Sequence, residues 1–236
     1  MITEIISRIR KKDKKKFFGM TEILIDNNCI GNVIDVGANR GQFAEKLKKI
    51  GYKGIIHSIE PLSSEYAVLT QRANKHKNWF CHKIAAGDKT SKEKINITES
   101  SDFSSILEPN GYSDKKFHNK ARVIGTEQVD VCTLDEYQSK LMPYDDNKGL
   151  MIKIDTQGYE MNVIKGAAML LEKTDVLAVE VSMKAIYEKM TNYIQLVDYL
   201  NNCGFDIVGM YPVSRDEDTM ALIEADCLFV RKDRER

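Results

Sequence analysis

The chain has no Cys-x-x-Cys pair, only four prolines and one tryptophan, and a net charge of zero. Its five cysteines (Cys29, Cys81, Cys132, Cys203 and Cys227) are odd in number and scattered. That pattern excludes a disulfide framework and a cysteine zinc site, and points to a reducing, cytoplasmic setting. No apolar run reaches the roughly 18 residues of a membrane helix, and the first residues lack a signal-peptide core, so neither spanning nor secretion is expected. Repeats and low-complexity tracts are missing too. What remains is 236 residues, 42% apolar and 30% charged, enough for a real core in one α/β domain with additions.

The zero net charge conceals an asymmetry. Residues 8–16 carry seven basic side chains and one acid, which leaves the rest of the chain at −6. Just upstream, Ile2, Ile5, Ile6 and Ile9 recur at helical spacing. A basic amphipathic start suits peripheral contact with an anionic membrane surface, contact with nucleic acid, or an ordinary helix packed on the domain with solvated lysines.

Beyond a helical lead-in, apolar runs and amphipathic stretches alternate, which predicts a mostly parallel sheet covered by helices. Strands are expected at 32–36, 54–59, 79–85, 128–132, 150–155 and 176–181. Helices are expected at 42–50, 63–74 and 134–141, with later ones striped by Ile164, Ala167, Ala168 and Leu171 and by Tyr193, Leu196, Val197 and Leu200. Segments 205–210 and 227–231 read as a closing antiparallel pair. Residues 98–124 break the rhythm: they are polar and aperiodic, yet include Phe103, Tyr112 and Phe117. So long a connection in a compact domain is usually functional or disordered, and three aromatics favour function.

Residues 33–42 read Val-Ile-Asp-Val-Gly-Ala-Asn-Arg-Gly-Gln, followed by His-Ser-Ile-Glu60-Pro61. A strand that turns through glycines into a helix, with an acid ending the next strand, presents a nucleotide pocket in Rossmann-like sheets. A dinucleotide fingerprint would require glycine at Asn39 and Gln42, so that the backbone can touch a pyrophosphate. The spacing here is G-x-x-x-G, with Asp35 upstream of Gly37 and Gly41. That disfavours a nicotinamide cofactor and its oxidoreductase chemistry. It fits S-adenosylmethionine, which has no phosphate but has a ribose diol for Glu60 and an amino-acid tail for Asp35 and the amides of 37–41.

Five acids terminate separate apolar runs: Asp35, Glu60, Asp88, Asp155 and Glu180. Ligands of open α/β sheets bind at that edge, and unpaired buried carboxylates are too costly to serve packing alone. Asp88, after Ala85-Ala86-Gly87, is placed to accept from an adenine amino group. Asp155 lies in Ile-Lys153-Ile-Asp155-Thr-Gln157-Gly158-Tyr159-Glu160, the most distinctive stretch of the second half.

Together, the 33–42 loop, Ile-Glu60-Pro61, the 152–160 stretch, Val-Ile-Lys-Gly-Ala at 163–167, Val-Cys-Thr-Leu-Asp at 131–135 and Glu180-Val181 resemble the FkbM family of S-adenosylmethionine-dependent methyltransferases. The resemblance spans about 32–231. It implies a class I, Rossmann-like methyltransferase fold: a mostly parallel seven-stranded sheet, helices on both faces and an antiparallel edge strand. The chain is expected to divide into a basic helical extension, 1–30, and a methyltransferase domain, 31–236, with the 98–124 loop placed over the acceptor site on its length and aromatics. The resemblance implies O-methylation of a hydroxyl on a carbohydrate, glycolipid or natural-product acceptor. Asp35, Gly37, Gly41, Glu60 and Asp88 then take the cofactor by position, with Asn39, Gln42, Pro61, Ala86 and Asp155 beside them.

Methyl transfer to an alcohol needs a base as the new bond forms. Asp155 is the expected base, with Glu180 beside it; Gln157, Tyr159 and Glu160 would orient the acceptor, and Ser104 and Ser105 would contact it from the long loop. Lys153 is read as lying on the opposite pleat. His118, in that loop, is the alternative base. Asp155 and Glu180 could share Mg²⁺ with a diol, but no histidine accompanies them and two carboxylates do not specify an ion, so no metal residue is assigned. A nucleic-acid-binding or nucleic-acid-modifying methyltransferase is the competing reading. Nothing in the sequence fixes an oligomeric state.

Overall fold

The structure, a computed structural model, describes residues 2–232, with the side chains of residues 2–8, 10 and 118 outside that description. The chain opens with α1 (Ile2–Asn27), followed by β1 (Ile30–Val36), α2 (Gln42–Lys49), β2 (Ile55–Ile59), α3 (Ser63–Ala73) and β3 (Trp79–His82). A smaller unit follows: β4 (Ala85–Ala86), β5 (Ser91–Thr98), α4 (Gly111–Phe117) and β6 (Val123–Cys132). Then come α5 (Leu134–Tyr137), β7 (Gly149–Ile154), α6 (Glu160–Lys165), α7 (Ala168–Lys173), β8 (Thr174–Ser182), α8 (Tyr193–Asn202), β9 (Phe205–Arg215) and β10 (Leu222–Arg231).

Seven strands form one sheet in the order β3-β2-β1-β7-β8-β10-β9, parallel except that β10 runs antiparallel between β8 and β9. The order reverses between β1 and β7, the crevice where an open α/β sheet takes its ligand. Both faces are covered, which explains why β1, β7 and β8 are nearly continuous apolar runs. Strand alternation then sorts their side chains. Leu150, Ile152 and Ile154 join a core with Val163, Ile164, Leu171, Leu196 and Leu200 of the later helices. Met151 points the other way, into a core with Val33, Phe43, Leu47, Leu69 and Trp79. Fully burying side chains of this size stabilises by roughly 1.5–3 kcal/mol each, so the two layers anchor the strand ends firmly.

Local signals set several boundaries. Thr133 caps α5 by accepting from the Glu136 amide, and Asp135 caps α7 by accepting from the Met169 and Leu170 amides, both at 2.9 Å. The expected helix 134–141 is therefore two short turns. Residues 79–85 form two strands, because Ala85-Ala86 leaves the main sheet and pairs with Val131-Cys132 in a three-stranded sheet, β4-β6-β5. Sequence periodicity gave no sign of this second sheet. The long segment is likewise ordered: a 3-10 turn at Ser101–Phe103, α4 and a second 3-10 turn bridge β5 and β6. Phe103 packs on Phe117 with centroids 4.7 Å apart, and Leu107, Tyr112 and Phe117 pack on buried Ile186, Tyr187 and Ile223. The three aromatics make a small core of their own, so 98–124 is a folded cap and no open loop.

α1 divides along its length. Phe17, Phe18, Thr21, Leu24 and Ile25 are buried, and the helix lies along β9; from Ile9 to Lys16 no described side chain is buried. No helix among the described residues is long and apolar enough to cross a membrane.

Candidate functional site

The glycine loop after β1 bends through three left-handed residues, Gly37 (φ 73°), Asn39 (φ 47°) and Gly41 (φ 83°), and feeds α2 at once. Gly37 crosses the end of the neighbouring β7, where a Cβ would stand 1.8 Å from the Asp155 carbonyl oxygen. Gly41 serves packing: a Cβ there would meet Trp79 at 2.7 Å, and it does not line the cavity. Every amide of the loop already has an acceptor. Gly37 and Ala38 donate to Ile59 O (3.0 Å each), Asn39 to Glu60 Oε2 (2.8 Å), Arg40 to Asn39 Oδ1 (2.8 Å) and Gly41 to Ala38 O (2.7 Å). The expectation that these amides hold an anionic tail is corrected accordingly.

Glu60 is 5% exposed and also accepts from the Leu62 amide at 2.9 Å. Burial lifts its carboxyl to about 7 against the pull of its two amide donors. A carboxylate has about four acceptor positions, so capacity remains for a ligand diol. Pro61, Ala86 and Gln42 also line the cavity, with Leu62, Ile84 and Ile95 making an apolar slot. Gln42 Nε2 lies 3.3 Å from Asn39 Oδ1. Asp88 is not brought in. Because β4 departs to the second sheet, the chain at Gly87-Asp88 packs on Gly166 and leaves Asp88 exposed and off the cavity wall.

Asp35 and Lys153 also differ from expectation. Residues i and i+2 of a strand share a face, so Lys153 lies with Asp155 and not on the opposite pleat; it is also in register with Asp35. Its Nζ is 3.0 Å from Asp155 Oδ2 and 3.7 Å from Asp35 Oδ1. Asp35 is wholly buried and off the cavity wall, so the structure corrects its assignment to the cofactor: it supports Lys153 from below. Ser58 Oγ donates to its Oδ2 at 3.4 Å, itself accepting from Trp79 Nε1, while Oδ1 has no hydrogen bond. Burial raises the Asp35 carboxyl, and Lys153 opposes that rise. Burial also works against the charge of Lys153, but Asp155 and Asp35 overcome it and hold the ammonium above its ordinary range.

At the centre, Gln157 sits in a left-handed conformation (φ 54°) and donates from one amide nitrogen to Asp155 Oδ1 (3.0 Å) and Glu180 Oε2 (2.8 Å). Its Oε1 lies 2.9 Å from the Tyr187 hydroxyl, which is also 2.9 Å from Phe103 O; its own carbonyl accepts from Ser105 Oγ at 2.6 Å. The cap is thus wired to the carboxyl pair. Burial pushes Asp155 up, but the charge of Lys153 and the hydrogen bonds from Lys153, Gln157 and Glu180 together outweigh it, and the carboxyl lies below its ordinary range. Burial, then Asp155, Glu224 and Asp226, push Glu180 well above its own. Within the pair a proton therefore favours Glu180 over Asp155.

Glu224 and Asp226 of β10 complete the floor. Asp226 stands opposite Glu180 in the strand register, and burial followed by the charge of Asp155 lifts it to about 7. Ser214 Oγ donates to Glu224 at 2.6 Å. The sequence reading missed both acids, although two carboxylates at alternate positions of an otherwise apolar strand were a visible signal. It also missed the cavity-lining part of α1. Ser104, Ser105, Gln157 and Tyr159 line the cavity as expected positions. Glu160 does not: its Oε1 accepts from the Thr156 and Gly158 amides (2.9 and 3.0 Å) and closes the turn, away from any acceptor. His118 opens the second 3-10 turn, and its side chain lies outside the described ones. Among the described residues, no group of three or more His, Cys, Asp or Glu could hold a metal ion.

These groups surround one cavity of about 940 Å³. It runs from Gly37, Glu60 and Ala86, past Asp155 and Glu180, to Lys14 and Phe17 of α1, with Ser100–Ile106 forming part of its wall.

Residues 35–207 match the family model described as the methyltransferase FkbM domain. No curated protein matches the chain in sequence. Among solved structures it is similar to Sp1610 of Streptococcus pneumoniae in complex with S-adenosyl-L-methionine (TM-score 0.50, 10% identity, 91% of this chain and 73% of that one). It is also similar to magnesium protoporphyrin IX methyltransferase of Synechocystis PCC 6803 with bound SAM (0.49, 12%, 94% and 80%). A third is 1,6-didemethyltoxoflavin-N1-methyltransferase of Burkholderia thailandensis with S-adenosylhomocysteine (0.46, 11%, 98% and 87%). At such identities the likeness is one of fold. The matched segment holds the glycine loop, Glu60 and the 155–160 turn, and on it the chain belongs to the FkbM family of methyltransferases, with S-adenosylmethionine as methyl donor.

Proposed function

We propose that the protein methylates a hydroxyl of a polyhydroxylated acceptor, of carbohydrate or glycolipid type. The observation that carries this reading is the Asp155–Gln157–Glu180 unit. Two carboxyls bridged by one amide, one held low by Lys153 and its hydrogen-bond donors and one held high by burial and its acidic neighbours, offer unlike partners side by side, the complement of neighbouring hydroxyls. The structural neighbours are named for acceptors as different as a porphyrin and a toxoflavin precursor, so the fold carries no acceptor chemistry and the cavity lining must.

The residues at the other end fit the methyl donor. A buried carboxylate with spare acceptor positions suits a ribose diol, an apolar slot suits an adenine ring, and the saturated loop amides suit a ligand without phosphate. Gly37, Asn39, Gln42, Glu60, Pro61 and Ala86 would hold it, and when bound it supplies an electrophilic methyl group. Asp155 takes the proton of the attacking hydroxyl. Lys153 keeps that carboxylate charged before the acceptor arrives, and Gln157 fixes its direction. Glu180 donates to a second oxygen of the acceptor. Ser104 of the cap and Tyr159 of the 155–160 turn exclude water from the same space.

The test is transfer from labelled S-adenosylmethionine to a panel of glycans and glycolipids by the purified chain. Asp155→Asn should lower turnover at least about a hundredfold while S-adenosylhomocysteine binding is retained. Near-normal turnover would remove Asp155 from the mechanism. A label recovered on nitrogen or carbon would overturn the hydroxyl assignment.

A further inference from the structure

From Lys11 to Lys16 of α1 no side chain is buried, yet this stretch forms part of the cavity wall. Lys11, Lys14 and Lys15 all line the cavity and are all exposed. Their spacing, i, i+3 and i+4, puts three ammonium groups on one stripe of the helix. None makes an ion pair with a described side chain, whereas Lys49 of α2, on the same wall, is paired with Glu45 at 3.7 Å. Lys153 pairs with Asp155 on the acid floor, and Lys14 acts on Asp226, which joins the rim to the floor.

The cavity is thus split electrically, with carboxyls at its centre and a cationic stripe at one wall. The amides of residues 37–41 are all engaged, so an anion entering the cavity meets its cations, where Lys11, Lys14 and Lys15 are joined by Lys46, Lys49 and Lys120. Resting on the methyltransferase reading above, we infer that the acceptor carries a phosphate group, bound by Lys11, Lys14 and Lys15, while its hydroxyl portion reaches Asp155 and Glu180. The phosphate belongs either to a free phosphorylated acceptor or to a lipid headgroup, and the chemistry at the lysines is the same.

The experiment uses the full chain loaded with S-adenosylhomocysteine, with inorganic pyrophosphate as calorimetric probe. Saturable binding of one equivalent is expected, weakened at least about tenfold in a Lys14→Glu, Lys15→Glu double variant. Unchanged S-adenosylhomocysteine affinity and melting temperature show that the variant is folded. Vesicles of phosphatidylglycerol and of phosphatidylcholine form the second arm. Retention on the former alone, displaced by pyrophosphate, identifies a lipid headgroup; pyrophosphate binding without retention identifies a free acceptor. No saturable pyrophosphate binding, or binding indifferent to the double variant, overturns the inference. So does vesicle retention that pyrophosphate fails to displace, because that is general surface attraction. Loss of S-adenosylhomocysteine binding in the unaltered chain would instead strike at the methyltransferase reading.

Discussion

The two ends of the cavity solve opposite problems. At the glycine loop every polar backbone group is satisfied within the protein, and the loop leaves no freedom at Gly37, Asn39 or Gly41. Around the 155–157 turn four carboxyls stand close together: Asp155 and Glu180 share one amide, Asp155 is paired with Lys153, and burial and the charges of Asp155, Glu224 and Asp226 raise Glu180. The first arrangement fixes a shape. The second keeps a proton inventory that an incoming hydroxyl can alter. A methyl-transfer site needs both: a rigid seat for the donor and a nearby place for a proton.

That contrast can be broken at either end. The largest effect is expected at Gly37→Ala, where the new Cβ would lie 1.8 Å from the Asp155 carbonyl, in a left-handed conformation. A loss on the order of 3 kcal/mol or more in chemical denaturation is expected, with S-adenosylhomocysteine binding abolished. A stable, cofactor-binding variant would show that the loop is less constrained than its geometry indicates. Tyr187→Phe comes next. It removes the donor that orients the Gln157 amide and leaves a buried acceptor unmatched, costing about 1–3 kcal/mol. Turnover should fall and its pH profile shift, with cofactor affinity kept; a parallel loss of both would make Tyr187 purely structural.

The smallest effect belongs to pH. Asp226, Glu60 and Glu160 are lifted to about 7 in the folded chain, from 3.8, 4.5 and 4.5. A carboxyl with a raised folded pKa binds its proton more tightly when folded. Its contribution to stability is fully present below the unfolded value and is lost as pH rises through the folded one. Asp226→Asn cannot ionise, so its melting temperature relative to the unaltered chain should rise between about pH 4 and pH 7, the window set by those two limits. A difference that stays constant with pH would mean that Asp226 is already compensated.

Much of this was legible in sequence, for identifiable reasons. Strands buried on both faces write themselves as apolar runs, and Asp35, Glu60, Asp155 and Glu180 each end one, so the sheet and the edge it presents could be read directly. What a strand-end acid faces could not. Asp35 and Asp155 look alike in sequence, but one is sealed under Lys153 and the other lines the cavity; the register between β1 and β7 decides it. Asp88 was misjudged because two residues of β4 defect to another sheet, a long-range pairing with no local signal. Glu160 looked like a site residue, yet it satisfies the amides of its own turn. Lys153 was misplaced only by arithmetic, since the period of two already put it beside Asp155.

The family match ends at 207, but the hairpin beyond it supplies Glu224 and Asp226, and the helix ahead of it supplies the lysine stripe. On the proposals above, acceptor recognition is shared between the matched domain, which holds Asp155, Gln157 and Glu180, and the segments that flank it. Grafting those flanks between members of the family should transfer preference for a substrate while leaving the donor seat untouched, which makes the chain's two ends the natural place to look for divergence.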